Sequence, residues 1–152
     1  AGKILTYKIF KKQGIKIGVY GLGIELDGLV SKPNYGKTKY HNPLEKALKM
    51  EKFLKEEKKA DLIVCLSHLG YTYKEKKISD LIIATETFHT DLIIGGHTHT
   101  FLKKPDSVTN KSGQNVLVNQ VGFGGLILGR IDYFFEKMGK KHAKSDDNIP
   151  IK

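Results

Sequence analysis

An α/β fold is predicted for this chain on three observations. Two short, continuous apolar runs, Asp61 to Leu66 ("DLIVCL") and Leu92 to Ile94, have the length and composition of strands buried on both faces. Helical patterning precedes the first run and separates it from the second. The interval between the two runs is that of a βαβ unit, so the strands are expected to be parallel neighbours in one sheet.

The elements follow in order. Ile4 to Phe10 alternates apolar and polar residues and predicts a strand. Ile15 to Leu22 predicts a second, with Gln13 and Gly14 as the turn between them. Asp27 to His41 is rich in Gly, Lys, Asn and Tyr and reads as a loop. Asn42 is a good N-cap, Pro43 suits the first helical position and Glu45 approximates a capping box, so a helix is predicted from there to near Lys59. Glu45–Lys49 and Glu51–Lys55 are expected as i,i+4 pairs on its solvent side. A short helix is predicted from Ser79 to Phe88. After His99 come a proline-bearing loop, a turn at Ser112 and Gly113, a strand from Val116 to Gln120, a corner at Gly122 to Gly125, and one long strand from Ile127 to Phe135. The end of the chain is polar apart from Ile149 to Ile151.

A chain of 152 residues sets one domain as the default and is long enough to bury a sizeable core. No apolar run approaches the roughly 18 residues of a membrane span. The formal charge is +10, but only one of the 26 basic residues is arginine, Arg130. Readers of bases and phosphates favour arginine for its bidentate fork, so a solvated lysine surface is the better reading and nucleic acid a poor partner. The single cysteine, Cys65, lies inside an apolar run and is expected to be a buried structural thiol. No signal peptide is visible, and a start at Ala1 close to a strand suits a piece of something longer.

Three of the six histidines share one address. His68 follows the first apolar strand; His97 and His99 follow the second, in "GGHTH". Both loops then leave the carboxyl end of one sheet, where open α/β sheets place ligand sites. Gly70, Gly95 and Gly96 let the backbone turn sharply there. In extended chain His97 and His99 point the same way, able to share one metal or to serve two about 3.5–4 Å apart. Ser67 and Thr98 are placed either to orient these histidines or to bond the local backbone. Asn119 and Gln120 end a strand near the glycine corner, facing the site or serving structure. His41, His89 and His142 read as surface residues. A two-metal hydrolytic centre also needs carboxylates. Asp61 and Asp91 sit at the strand starts, roughly 17–20 Å from the histidines. Glu25 and Asp27 have no evident tie to them.

The blocks "KIGVYGLG" (Lys16 to Gly23), "DLIVCLSHLGY" (Asp61 to Tyr71), "DLIIGGHTHTFL" (Asp91 to Leu102) and "VLVNQVGFGGLILGRID" (Val116 to Asp132), in this order, resemble the calcineurin-like metallophosphoesterases, in their 5′-nucleotidase-like branch. The resemblance implies a β-sandwich flanked by helices, with residues 1–135 its C-terminal half; residues 136–152 read from their own composition as a polar tail, in which Ile149 to Ile151 can return as a short edge strand. It implies two divalent cations (Mn, Zn, Fe, Mg or Ca are not distinguished), His68 and His97 on one and His99 on the other. It also implies a phosphate-ester or nucleotide substrate and an exported or periplasmic setting. The family's Asp-x-His, Gly-Asp and Gly-Asn-His blocks do not occur here, so no catalytic residue is assigned. The N-terminal half of the domain is the partner this resemblance requires. Two alternatives stay open: a catalytically inactive fragment with partial or no metal occupancy, and a basic nucleic-acid-binding module.

Overall fold

The computed structural model describes residues 4–136 and 140–151. Part of the lysine-rich tail, residues 137–139, lies outside them. The first hairpin joins β1 (Tyr7–Lys12) to β2 (Ile15–Leu22). Lys12 pairs with Ile15, which leaves Gln13 and Gly14 as a two-residue turn with φ of 50° and 83°. That double left-handed turn matches the twist of its strands. The segment predicted as loop contains a short helix, α1 (Lys32–Tyr35). Helix α2 (Pro43–Glu56) starts where predicted, with Asn42 Oδ1 accepting from the N–H groups of Leu44 and Glu45 at 2.9 and 3.2 Å.

The parallel core consists of β2, β3 (Leu62–Ser67), β4 (Leu92–Ile94) and β6 (Asn115–Asn119), with α3 (Asp80–Glu86) between β3 and β4. The "proline-bearing loop" holds an unpredicted edge strand, β5 (Asp106–Thr109), antiparallel to β6. The sheet order is β1-β2-β3-β4-β6-β5. The predicted long strand is divided. β7 (Ile127–Leu128) pairs with β10 (Ile149–Pro150), and β8 (Ile131–Phe135) pairs with β9 (Lys141–Ser145). The break falls at Gly129, where a Cβ would overlap the Asn119 amide, so the two halves part to different partners.

Alternation along the strands sorts the core into two layers. Ile63, Cys65, Ile93, Val116 and Val118 pack against Ala47 and Leu54 of α2 and Ile83 and Ala84 of α3. Leu62, Val64 and Leu92 face the other way, under Ile131, Tyr133 and Phe135 of β8. The architecture is α/β, a sandwich of sheets with helices on one side. The second layer is short: Leu66 and Ile94, next along the same face, are 48% and 47% exposed. Cys65 is buried and burial raises its thiol pKa, as suits a structural residue. Among the described residues, no helix is long and apolar enough to cross a membrane.

Candidate metal-binding site

β3 and β4 are parallel neighbours in the register Val64↔Leu92, Cys65↔Ile93, Leu66↔Ile94. Carried two residues on, that register sets His68 opposite Gly96. A Cβ there would stand 3.1 Å from His68 Nδ1, so the missing side chain is the space that holds the imidazole. The His68 and His97 rings meet edge to face, 5.3 Å between centres. Two imidazoles on one tetrahedral metal, each bonded at 2.0–2.1 Å, have ring centres about 5 Å apart. The spacing of the pair is that of two ligands on one metal. Burial, then the charges of His68, Lys77 and His99, lower the His97 pKa and favour the neutral ring that a metal ligand must be.

His99 is differently placed. The expectation of an extended Gly-His-Thr-His segment fails: His97 and His99 have φ of 73° and 52°, in the left-handed region. Alternation no longer governs where they point. The His99 ring packs on Phe123 at 5.2 Å, and Phe123 on Phe101 at 5.7 Å. Among the described residues, no group of three or more His, Cys, Asp or Glu side chains is arranged to hold a metal. The donor set is thus an imidazole pair with a third imidazole to one side and no carboxylate. It fits part of one coordination sphere and not a complete two-metal centre.

The acidic residues weighed from sequence lie elsewhere. Asp61 Oδ2 accepts from Lys16 N and Asp91 Oδ2 from Ile63 N, both at 2.8 Å, at the amino ends of the strands. Glu25 and Asp27 line a groove of about 1060 Å³ with Tyr20, Tyr40 and Phe53, a groove that none of the three histidines borders. His41 also lines that groove. His142 stacks on Phe134.

Ser67 is buried; its Oγ accepts from Leu69 N at 3.1 Å and donates to Asp80 Oδ1 at 2.5 Å. Thr98 Oγ1 accepts from Tyr71 N at 3.0 Å and donates to Gln120 Oε1 at 2.9 Å, tying one histidine loop to the other. Asn119, in register with Ile94, exchanges amide hydrogen bonds of 3.1 and 2.9 Å with Asn148.

Three buried polar residues organise the sheet ends: Gln120, read from sequence with Asn119 as facing the site or serving structure, Asp80 at the histidine end, and Glu51 at the amino end of β4, the last two not singled out for these roles from sequence. Gln120 donates to Gly96 O at 2.7 Å and accepts from Thr98 and Thr100, holding the left-handed loop. Period-two counting from Val116 and Val118 would have put it on the core face. Asp80 is 0% exposed; Oδ1 is held by Ser67, Oδ2 has no hydrogen-bond partner among the described residues, and burial pushes its pKa up to about 6. Glu51, expected in an exposed pair with Lys55, is 1% exposed instead. It accepts from the N–H groups of Phe88, His89 and Thr90 at 2.9 Å each, which fixes the approach to β4. Helical charge spacing gave no sign of that long-range role.

A family profile described as calcineurin-like phosphoesterase matches residues 6–101. A trifunctional nucleotide phosphoesterase of Bacillus subtilis is 34% identical over 90% of this chain and 9% of its own length. A 5′-nucleotidase of Vibrio vulnificus is 33% identical over 96% of this chain and 30% of its own. The crystal structure of a 5′-nucleotidase precursor from Thermus thermophilus superimposes with a TM-score of 0.80 at 29% identity, covering 96% of this chain and 30% of that one. The chain thus spans a third or less of the length of these relatives.

Proposed function

The chain belongs to the calcineurin-like phosphoesterase family, and from that premise we propose that it supplies the imidazole wall of a metal-dependent centre hydrolysing phosphate esters, with nucleotides as the substrate class. The observation that carries the reading is the His68–His97 pair, 5.3 Å between ring centres at the carboxyl end of adjacent parallel strands. The likeness to relatives named as nucleotide phosphoesterase and 5′-nucleotidase supports the substrate class.

Divalent cations, when bound, lower the pKa of water and neutralise phosphoryl charge. The chain's own residues do the rest. His68 and His97 would hold one cation, and His99, left-handed, exposed and packed on Phe123, would serve the other. Ser67 and Thr98 fix the loops from behind. Lys77, within electrostatic reach of His97 and lying over the Tyr73 ring at 4.7 Å, adds positive charge that draws an anionic ester. The carboxylates belong to a further segment, the N-terminal half of the domain, and the uncovered Leu66 and Ile94 beside the histidine loops suit a covering layer there. Export of the parent belongs to the same reading, from the likeness to a relative named as a precursor. Fractionation that finds the parent only in the cytosol removes that part.

Calorimetric titration of the purified chain with Zn²⁺ or Mn²⁺ tests the site. The wild type is expected to bind weakly, and His68→Ala or His97→Ala to lose at least about tenfold in affinity. Uptake below about a tenth of an equivalent at millimolar metal would sink the reading for this chain. In the parent, chelator-sensitive release of phosphate from a nucleoside monophosphate is expected, and activity unchanged by His97→Ala would overturn it.

A further inference from the structure

We propose that Asp80 is a positioning residue: one buried carboxylate, touching neither metal nor substrate, sets the separation of His68 and His97. It stands at the first turn of α3, behind both histidine loops. One arm is a hydrogen bond. Ser67 Oγ donates to Asp80 Oδ1 at 2.5 Å and accepts from Leu69 N, so the residues on either side of His68 are pinned to that oxygen. The other arm is a close approach. Oδ2 rests against Gly95, where a Cβ would overlap it, two residues before His97. Gln120 Nε2 would lie 3.1 Å from that same Cβ and donates to Gly96 O, closing the loop from the far side.

Asp80 is fully buried and Oδ2 has no hydrogen-bond partner among the described residues. A buried acceptor left unpaired is destabilising, because it loses its water without gaining a partner. An apolar side chain would fill the same place without that cost, but would release Ser67 and let the loop after β3 rotate. The inference rests on the metal reading for its consequence, whereas the geometric linkage stands on the contacts alone.

Imidazole ¹H–¹⁵N spectra of the purified chain, with zinc titration alongside, test it. His41 and His142 serve as internal controls, since neither touches these loops. Asp80→Leu is expected to move the His68 and His97 resonances together and weaken zinc roughly tenfold or more. Asp80→Asn, which keeps an acceptor for Ser67, is expected to stay within about threefold of wild type. Ser67→Ala removes one arm and should move His68 alone; Gly95→Ala removes the other and should move chiefly His97. These two variants decide the matter if Asp80→Leu does not fold. Unmoved imidazoles in folded variants, or shifts shared equally by His41 and His142, would overturn the inference. Failure of the wild type to bind zinc would instead count against the metal reading, with the imidazole shifts still reporting on Asp80.

Discussion

The two ends of the parallel sheet are built from the same four strands and are opposites. At the amino end both aspartates are tied to the backbone of the next strand. Asp61 takes the N–H of Lys16 and Asp91 that of Ile63, and each aspartate's own N–H returns to the carbonyl of the same residue. Lys141 Nζ then bridges them, at 2.6 Å to Asp61 O and 2.7 Å to Asp91 Oδ2. At the carboxyl end two histidines hold left-handed backbone, a buried carboxylate oxygen has no partner among the described residues, and Leu66 and Ile94 are open. The closed aspartate–lysine contacts lie at one end and the histidine loops at the other. A single strand can serve both because its ends are separated by its full length.

The contrast can be broken first at the closed end. Lys141→Met leaves Asp91 buried without its cation and is expected to cost about 3–5 kcal/mol in urea unfolding, with zinc affinity unchanged. A loss below about 1 kcal/mol would show that the amino end is not the anchor.

At the open end, Asp80 makes stability depend on pH. Its folded pKa of about 6 lies above the ordinary 3.8, so the native state binds its proton more tightly than the unfolded chain. The resulting stabilisation is complete below about pH 4 and is lost as pH rises through 6, amounting to about 3 kcal/mol at most. Its neighbours Cys65 and Tyr73 have raised pKa values and remain protonated across that range. The wild type minus Asp80→Asn stability difference, followed by urea unfolding from pH 4 to pH 7.5, should fall by that amount. A flat difference would mean that Asp80 titrates normally.

The smallest effect is at His99. His99→Gly relieves its left-handed backbone and is expected to gain about 0.5–1 kcal/mol while weakening metal binding. A destabilised His99→Gly would mean that the Phe123 contact outweighs the backbone strain.

Legibility followed the range of the interactions. The Gln13-Gly14 turn, the Asn42 cap and β4 were readable because each is decided within a few residues. β5 and β9 were not, since their polar sequences become strands only beside β6 and β8. The division at Gly129 depends on Asn119 and Asn148, far along the chain. In the candidate site, the address of His68, His97 and His99 was legible from strand order. Their orientations were not, because the left-handed loop is imposed by Gln120 and Thr98.

The sequence by itself determined the class of fold, the end of the sheet that carries the histidines, and the displacement of Asp61 and Asp91 from them. Each of these depends on strand length and period, which are local properties of the chain. Only the tertiary structure decided that His68 meets His97 while His99 turns to Phe123, and that Glu51 and Asp80 are buried. A side chain's partner is set by which distant segment packs against it, and the burial of a charge is settled by whether that segment supplies donors: three backbone N–H groups for Glu51, one hydroxyl for Asp80.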